Sequence, residues 1–234
     1  MKSIVSCLVL ILVTLIPAKG RSTALYLLDS ASPLGRISLS GNGLGCFRNP
    51  QNYSYKTAST VRGSGSITKT FAPTNVAPPC LAQTTNTNGD FLMWASPPLA
   101  SSVVIDGNIN YSLGCRESNA SMNAGFRFVV KKWSAKIGGI ESVVHTSPVS
   151  SECSTTLSLR TIAASAPTPT TFTVGDRIVI TVEVMNVGTW GGNSSRTFRV
   201  TYRGTASSTG DSFVNFSDTL SFATDGPSLV PTIQ

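Results

Sequence analysis

The stretch FTVGDRIVITVEV, residues 172–184, places Ile178, Ile180, Val182 and Val184 on one parity, directly after a Gly175-Asp176 turn. Arg177, Thr181 and Glu183 fall on the other parity. Successive side chains of a strand point to opposite faces, so this pattern predicts a half-buried strand of an antiparallel sheet. Its Ile/Val face would seal a core, and its polar face would meet solvent or a partner.

The same period recurs on either side. In SSVVIDGNINYSL, Val103, Ile105, Ile109, Tyr111 and Leu113 share a parity against Asp106, Asn108 and Asn110. In FRFVVKKW, Phe126, Phe128 and Val130 oppose Arg127, Lys131 and Trp133. Phe198, Val200 and Tyr202 form a further set, as do Val214, Phe216, Leu220 and Phe222. Asn88-Gly89, Gly138-Gly139, Gly191-Gly192-Asn193 and Gly210-Asp211 supply turns between them. No segment carries a 3.6-residue apolar stripe. Many short strands with regular turns predict an all-β protein, an antiparallel β-sandwich of jelly-roll type over residues 91–234. Residues 21–90 differ: ALYLL at 24–28 and RISLS at 36–40 read as strands, 41–56 is rich in Gly and Asn, and FAPTNVAPP at 71–79 is a proline-rich connection. This portion is expected to pack on or extend the sandwich.

Residues 1–20 read as a secretory signal peptide: Lys2, an apolar run from Ile4 to Ile16, then small residues in Ala18-Lys19-Gly20 with cleavage after Gly20. The run is short of the ~20 residues that span a bilayer, so the expected location is secreted or extracytoplasmic, without a membrane span after cleavage. Charged residues are 12% of the chain, against ~25% in average proteins, which suits an exported β-protein with neutral polar faces. The formal charge is +7, and loss of Lys2 and Lys19 leaves 16 basic against 11 acidic side chains. That mild excess permits loose attraction to anionic polymers without requiring it.

Cys46, Cys80, Cys115 and Cys153 remain after cleavage. An even number in an exported chain predicts two disulfides, and pairing of sequence neighbours gives Cys46–Cys80 and Cys115–Cys153. No Cys-x-x-Cys spacing is present, so no metal site is expected, and no cofactor motif is found.

His145 is the single histidine, in a strand end or loop, and no Gly-x-Ser-x-Gly elbow accompanies it, so it reads as a partly exposed loop histidine. Asp106, Glu183 and Glu141 are the strand-borne acids, a thin inventory for paired-carboxylate hydrolysis. Asp106, Asn108, Asn110 and Glu117 fit four positions of a calcium loop, but Tyr111 stands where that loop needs glycine. Trp190, between glycines in GTWGG, is placed to stack on a sugar ring; Trp94 reads as core and Trp133 as a strand-end cap. Arg127, Lys131, Arg199 and Arg203 would form a basic stripe if their strands share a sheet, although basic residues on solvent faces also discourage aggregation. The aromatic-plus-basic motifs of nucleic-acid modules are missing. Asn52, Asn110, Asn119, Asn193 and Asn215 open Asn-x-Ser/Thr sequons.

The order SPPLA, ESN with NAGFR, GDRI and GDSFVNF, over roughly residues 91–223, resembles a family of largely uncharacterised β-sandwich proteins of tailed-phage genomes and environmental sequences. That resemblance implies a jelly-roll-like domain, often encoded among virion structural genes, with no catalytic residues to carry over. The leader peptide departs from it, since virion proteins assemble in the cytoplasm. The sequence reading is therefore a secreted, non-enzymatic structural or surface-interaction protein, with self, envelope or virion components as partners. The alternative is a carbohydrate-binding module that takes glycans through Trp190.

Overall fold

The structure, a computed structural model, describes residues 22–38, 52–63, 65, 67–71, 74–75, 81–82, 92–134, 140–163, 166–188, 196–202 and 211–224. The leader, Cys46, Cys80, Trp190, Asn193 and Arg203 lie outside them. In chain order the strands are β1 Thr23–Ser38, β2 Asn52–Ser59, β3 Ile67–Phe71, β4 Thr74–Asn75, β5 Leu81–Ala82, β6 Met93–Ala95, β7 Val103–Ile105 and β8 Ile109–Glu117. A 3-10 turn, Ala120–Met122, precedes β9 Ala124–Ser134, β10 Ile140–Thr146, β11 Ser158–Ala163, β12 Thr170–Phe172, β13 Arg177–Asn186, β14 Phe198–Tyr202 and β15 Phe213–Phe216. The protein is all-β, as the alternation predicts.

One curled sheet carries most of the strands. Antiparallel ladders join β10 to β9, β9 to β13 and β13 to β6. β6 pairs parallel with β2, and β1 links β2 to β15. β8 is shared by three neighbours: β15 over residues 109–112, β14 over 114–117 and β11 over 110–115. β1, β2 and β3 are thus woven into the same sheet as the later strands, while β4 and β5 pair with each other, as β7 does with β12. The curl brings β8 and β9 face to face, with Tyr111 stacked on Phe128 at 4.8 Å. Trp94 of β6 likewise meets Tyr202 of β14 edge-on, with ring centroids 5.2 Å apart. The inward parities of β8, β9, β14 and β15 are the apolar ones read from the sequence, and they form one core cluster. Each large side chain buried there contributes roughly 1.5–3 kcal/mol.

The opening stretch corrects one expectation. β13 is buried on both faces, with Val179, Thr181, Glu183 and Met185 as enclosed as the Ile/Val face. The reason is position: β13 lies between β9 and β6, and β5 lies against it. Glu183 tolerates this because Arg127 on the neighbouring strand meets it at 2.5 Å, and a buried charge must be paired.

The turn before β13 is built as the sequence suggests. Gly175 has φ of 87°, a left-handed conformation that glycine adopts without strain. Asp176, 1% exposed, accepts bonds from the Thr173 backbone N–H at 2.7 Å and hydroxyl at 3.1 Å. Lys132 Nζ lies 3.2 Å from the same carboxylate oxygen. Burial raises its affinity for a proton, but the Thr173, Ser134 and Lys132 contacts outweigh it and hold the carboxyl below its ordinary range. Asp176→Ala should cost about 3 kcal/mol at neutral pH, since it removes a buried carboxylate from a paired cation. A depressed folded pKa means that this contribution is full above the unfolded value of ~3.9 and vanishes as pH falls through the folded one. Denaturant titrations at pH 7 and pH 3 check it: the gap between the two proteins should narrow at the lower pH.

A recurring device seals the ends of these strands. Ser147 and Ser150 lie beside β9, where each donates its backbone N–H to a β9 carbonyl, Phe128 and Phe126 respectively. The same two residues of β9 then donate their N–H groups to the serine hydroxyls, at 2.9 and 3.0 Å. Ser96 repeats the arrangement against Ile178 of β13. Gly125 allows the serine segment its close approach, because a Cβ there would stand 3.0 Å from Ser150 Oγ and 2.7 Å from Val187 Cγ1.

Candidate functional site

β8 ends with Cys115-Arg116-Glu117, and the alternation that turns Cys115 inward turns Glu117 inward too. The chain then reverses through the 3-10 turn, capped by Asn119 Oδ1 accepting from the Ser121 N–H at 3.0 Å. Asn123, at φ 51°, leads into β9. On the far side, the segment from Ser150 to Ser154 follows β9, with Cys153 N–H donating to the Ala124 carbonyl at 2.8 Å. The Cys115–Cys153 disulfide, Cα–Cα 5.8 Å, closes the seam between β8 and that segment.

Glu117 and Glu152 meet beside this disulfide. Glu117 is 2% exposed, and its backbone N–H donates to the Ser154 carbonyl at 3.0 Å. Its carboxyl accepts from the Ala124 N–H at 3.1 Å, and the negative charge of Glu152 acts on it. Burial, then the Glu152 hydrogen bond and charge, push Glu117 up to about 7, against the opposing Ala124 N–H and Arg196. A carboxyl raised in this way can give or accept a proton near neutrality, which is what general acid–base chemistry requires.

The residues singled out from sequence are dispersed. Arg127 is engaged with Glu183. Lys131 is only 6% exposed, with its pKa lowered by burial against the opposing charge of Glu183. Arg199 lies on β14, opposite Arg116 of β8 and far along the sheet from β9. The described basic residues therefore do not make one stripe; Arg203 and Trp190 fall outside the described residues. Trp94 is core, as read. His145 is half-buried in β10, lies parallel to Tyr111 with centroids 6.2 Å apart, and loses proton affinity to burial. Among the described residues its Nε2 has no hydrogen-bond partner, while the Ser147 hydroxyl is committed to Phe128 and Pro148. β8 runs as a continuous strand, so Asp106 and Glu117 stand beyond and at opposite ends of it rather than around one ion. Cys115–Cys153 is the pairing expected; Cys46 and Cys80 are outside the described residues. The site itself, Glu117 with Glu152, was missed. The available signal was the disulfide, because each glutamate stands within two residues of one of its cysteines.

No protein-family model matches the chain, and no curated protein matches it by sequence. Solved structures do. It is similar to an aminopeptidase from a marine sediment Thaumarchaeota archaeon, 12% identical, over 84% of this chain and 37% of that one, with a TM-score of 0.50. A CocE/NonD family hydrolase from Staphylococcus aureus is 13% identical over 84% of this chain and 36% of its own, TM-score 0.45. An α-amino acid ester hydrolase is 13% identical over 85% and 36%, TM-score 0.42. The chain spans about a third of the length of these structures. The match at a TM-score of 0.50 overturns the expectation of a non-enzymatic structural or surface protein, and the sugar-binding alternative with it: the fold this chain shares is part of an aminopeptidase structure. At such identities the shared property is the fold.

Proposed function

We propose that this chain is the β-sandwich unit of an exported hydrolase acting on peptide or ester bonds. The observation that carries the reading is the agreement with the archaeal aminopeptidase over 84% of this chain at a TM-score of 0.50. The signal-like residues 1–20 and the Cys115–Cys153 disulfide support the exported setting. Among the described residues no helix is long and apolar enough to cross a membrane. Glu117, whose carboxyl burial raises toward neutrality, marks the end that we assign to the reaction or to the unit that performs it.

Fold does not by itself fix chemistry, so the test is activity. Extracellular material from the native source is depleted of this chain with a specific antibody, without reduction. Hydrolysis of aminoacyl anilides and amino acid esters is then followed. Depletion is expected to remove most of one of these activities, and readdition of the bound fraction to restore it. Activities that are unchanged after complete depletion overturn the proposal.

A further inference from the structure

β14 lies between β8 and β3, and its two ladders fix a row of side chains across the three strands. Arg199 of β14 stands opposite Arg116 of β8 on one side and opposite Thr70 of β3 on the other. Residues paired in this way project from the same face of the sheet, with Cβ atoms about 5 Å apart. The next row, Glu117, Phe198 and Phe71, is turned to the opposite face, where Glu117 and Phe198 are buried. Both arginines are half-exposed, and Thr70 is exposed.

Like charges directly opposite each other disfavour the pairing of their strands, so the arginine pair needs a reason. No acid compensates it among the described residues. The ion pairs recorded there join Lys56 to Asp29, Arg62 to Asp211, Arg127 to Glu183 and Lys132 to Asp176. Arg116 and Arg199 have neither an ion pair nor a hydrogen-bond partner among those residues. Glu117, next to Arg116 in sequence, is on the other face, and Glu152 acts on Glu117. One step along the strands, Ser118 and Thr197 are neutral and bond to each other. Protection of an open sheet edge does not explain Arg199 either, because β14 is paired on both sides at that residue.

We propose that Arg116 and Arg199 form a binding site for a tetrahedral oxyanion, a phosphate or sulfate group, with the Thr70 hydroxyl as a further donor. The inference goes beyond the hydrolase reading and does not rest on it. Each guanidinium presents five N–H donors in a planar fork that matches two oxygens of such a group. A phosphate ester offers three acceptor oxygens and roughly 1.5 to 2 negative charges at neutral pH, enough to engage both forks and cancel their repulsion. A carboxylate has a single charge and two oxygens in one plane, which suit one fork. The formal charge of +7 on the whole chain favours the approach of any such anion. Free phosphate and the phosphate of an ester share this chemistry.

The test is an NMR titration of the isotope-labelled, oxidised full chain with inorganic phosphate at pH 7, against sodium chloride of equal ionic strength. Saturable shifts are expected at the Nε–H groups of Arg116 and Arg199 and at the Thr70 amide. Arg199→Gln and, separately, Arg116→Gln should each weaken binding about tenfold, the loss of a charge-assisted hydrogen bond. Arg62→Gln, which removes an exposed charge elsewhere, should change it by less than about twofold. Thermal unfolding separates binding from folding. Without phosphate, both glutamine variants at the site should be at least as stable as the wild type, because the repulsion is relieved. Phosphate should then raise the midpoint of the wild type and leave theirs unmoved. Glycerol 3-phosphate distinguishes the sources: tighter binding than inorganic phosphate assigns the site to an ester, weaker binding to the free ion. Shifts that chloride reproduces, or an equal loss of affinity in Arg62→Gln, overturn the site. So does a loss of stability in Arg116→Gln and Arg199→Gln without phosphate, since the arginines would then be holding the sheet rather than awaiting an anion.

Discussion

Trp94→Ala is expected to lower stability by about 4 kcal/mol, with the urea midpoint falling and the slope unchanged. Trp94 is fully buried, and its indole touches several parts of the sheet at once. The ring packs edge-on against Tyr202 of β14, and Nε1 donates to the Leu28 carbonyl of β1 at 2.8 Å. Tyr202 in turn donates its hydroxyl to Asp29 at 2.7 Å, and Lys56 of β2 meets the same carboxylate oxygen at 2.7 Å. Truncation would leave a cavity, an unpartnered carbonyl and a tyrosine without its aromatic neighbour. Trp94→Phe retains much of the volume and loses only the N–H, so about 1–2 kcal/mol should be lost. A Trp94→Ala protein within about 1 kcal/mol of the wild type would show that the core does not run through this residue.

Removal of the Cys115–Cys153 disulfide is the second large effect. The cysteines are 38 residues apart, and closing a loop of that length in the unfolded chain corresponds to about 4 kcal/mol in the chain-entropy view. The double variant Cys115→Ala, Cys153→Ala should show that loss in denaturant titrations against the oxidised wild type. Both positions are buried in the core cluster, so alanine also gives up some packing. Agreement within about 1 kcal/mol would mean that the unfolded chain is already held compact there.

Much of the fold was legible because alternation is local. Tyr111, Phe128 and Tyr202 each sit on an apolar parity that only a strand can align, and all three are core. The two-faced burial of β13 was not legible, because Thr181 and Glu183 look like solvent-facing residues. Their enclosure depends on neighbours drawn from β9 and β5, and the Arg127–Glu183 pair joins residues distant in sequence. Glu117 and Glu152 were hidden for the same reason. Each is unremarkable in its own segment, and only the disulfide register brings the two segments together. Ser96, Ser147 and Ser150 were lost among the many serines of the chain, since nothing in composition distinguishes a hydroxyl that stands in for a carbonyl from one that meets water.

Those serines have a consequence for how the molecule behaves in company. A regular strand laid along β9 would offer its own far edge as a fresh row of donors and acceptors, ready to recruit another molecule. The Ser147–Cys153 segment takes up the bonds of β9 with three-residue steps against two, and Pro148 contributes no N–H at all. Its outer margin has no strand repeat for a second chain to copy. The edge is finished like a hemmed cloth, and sheet growth from one copy to the next stops there even in a crowded solution.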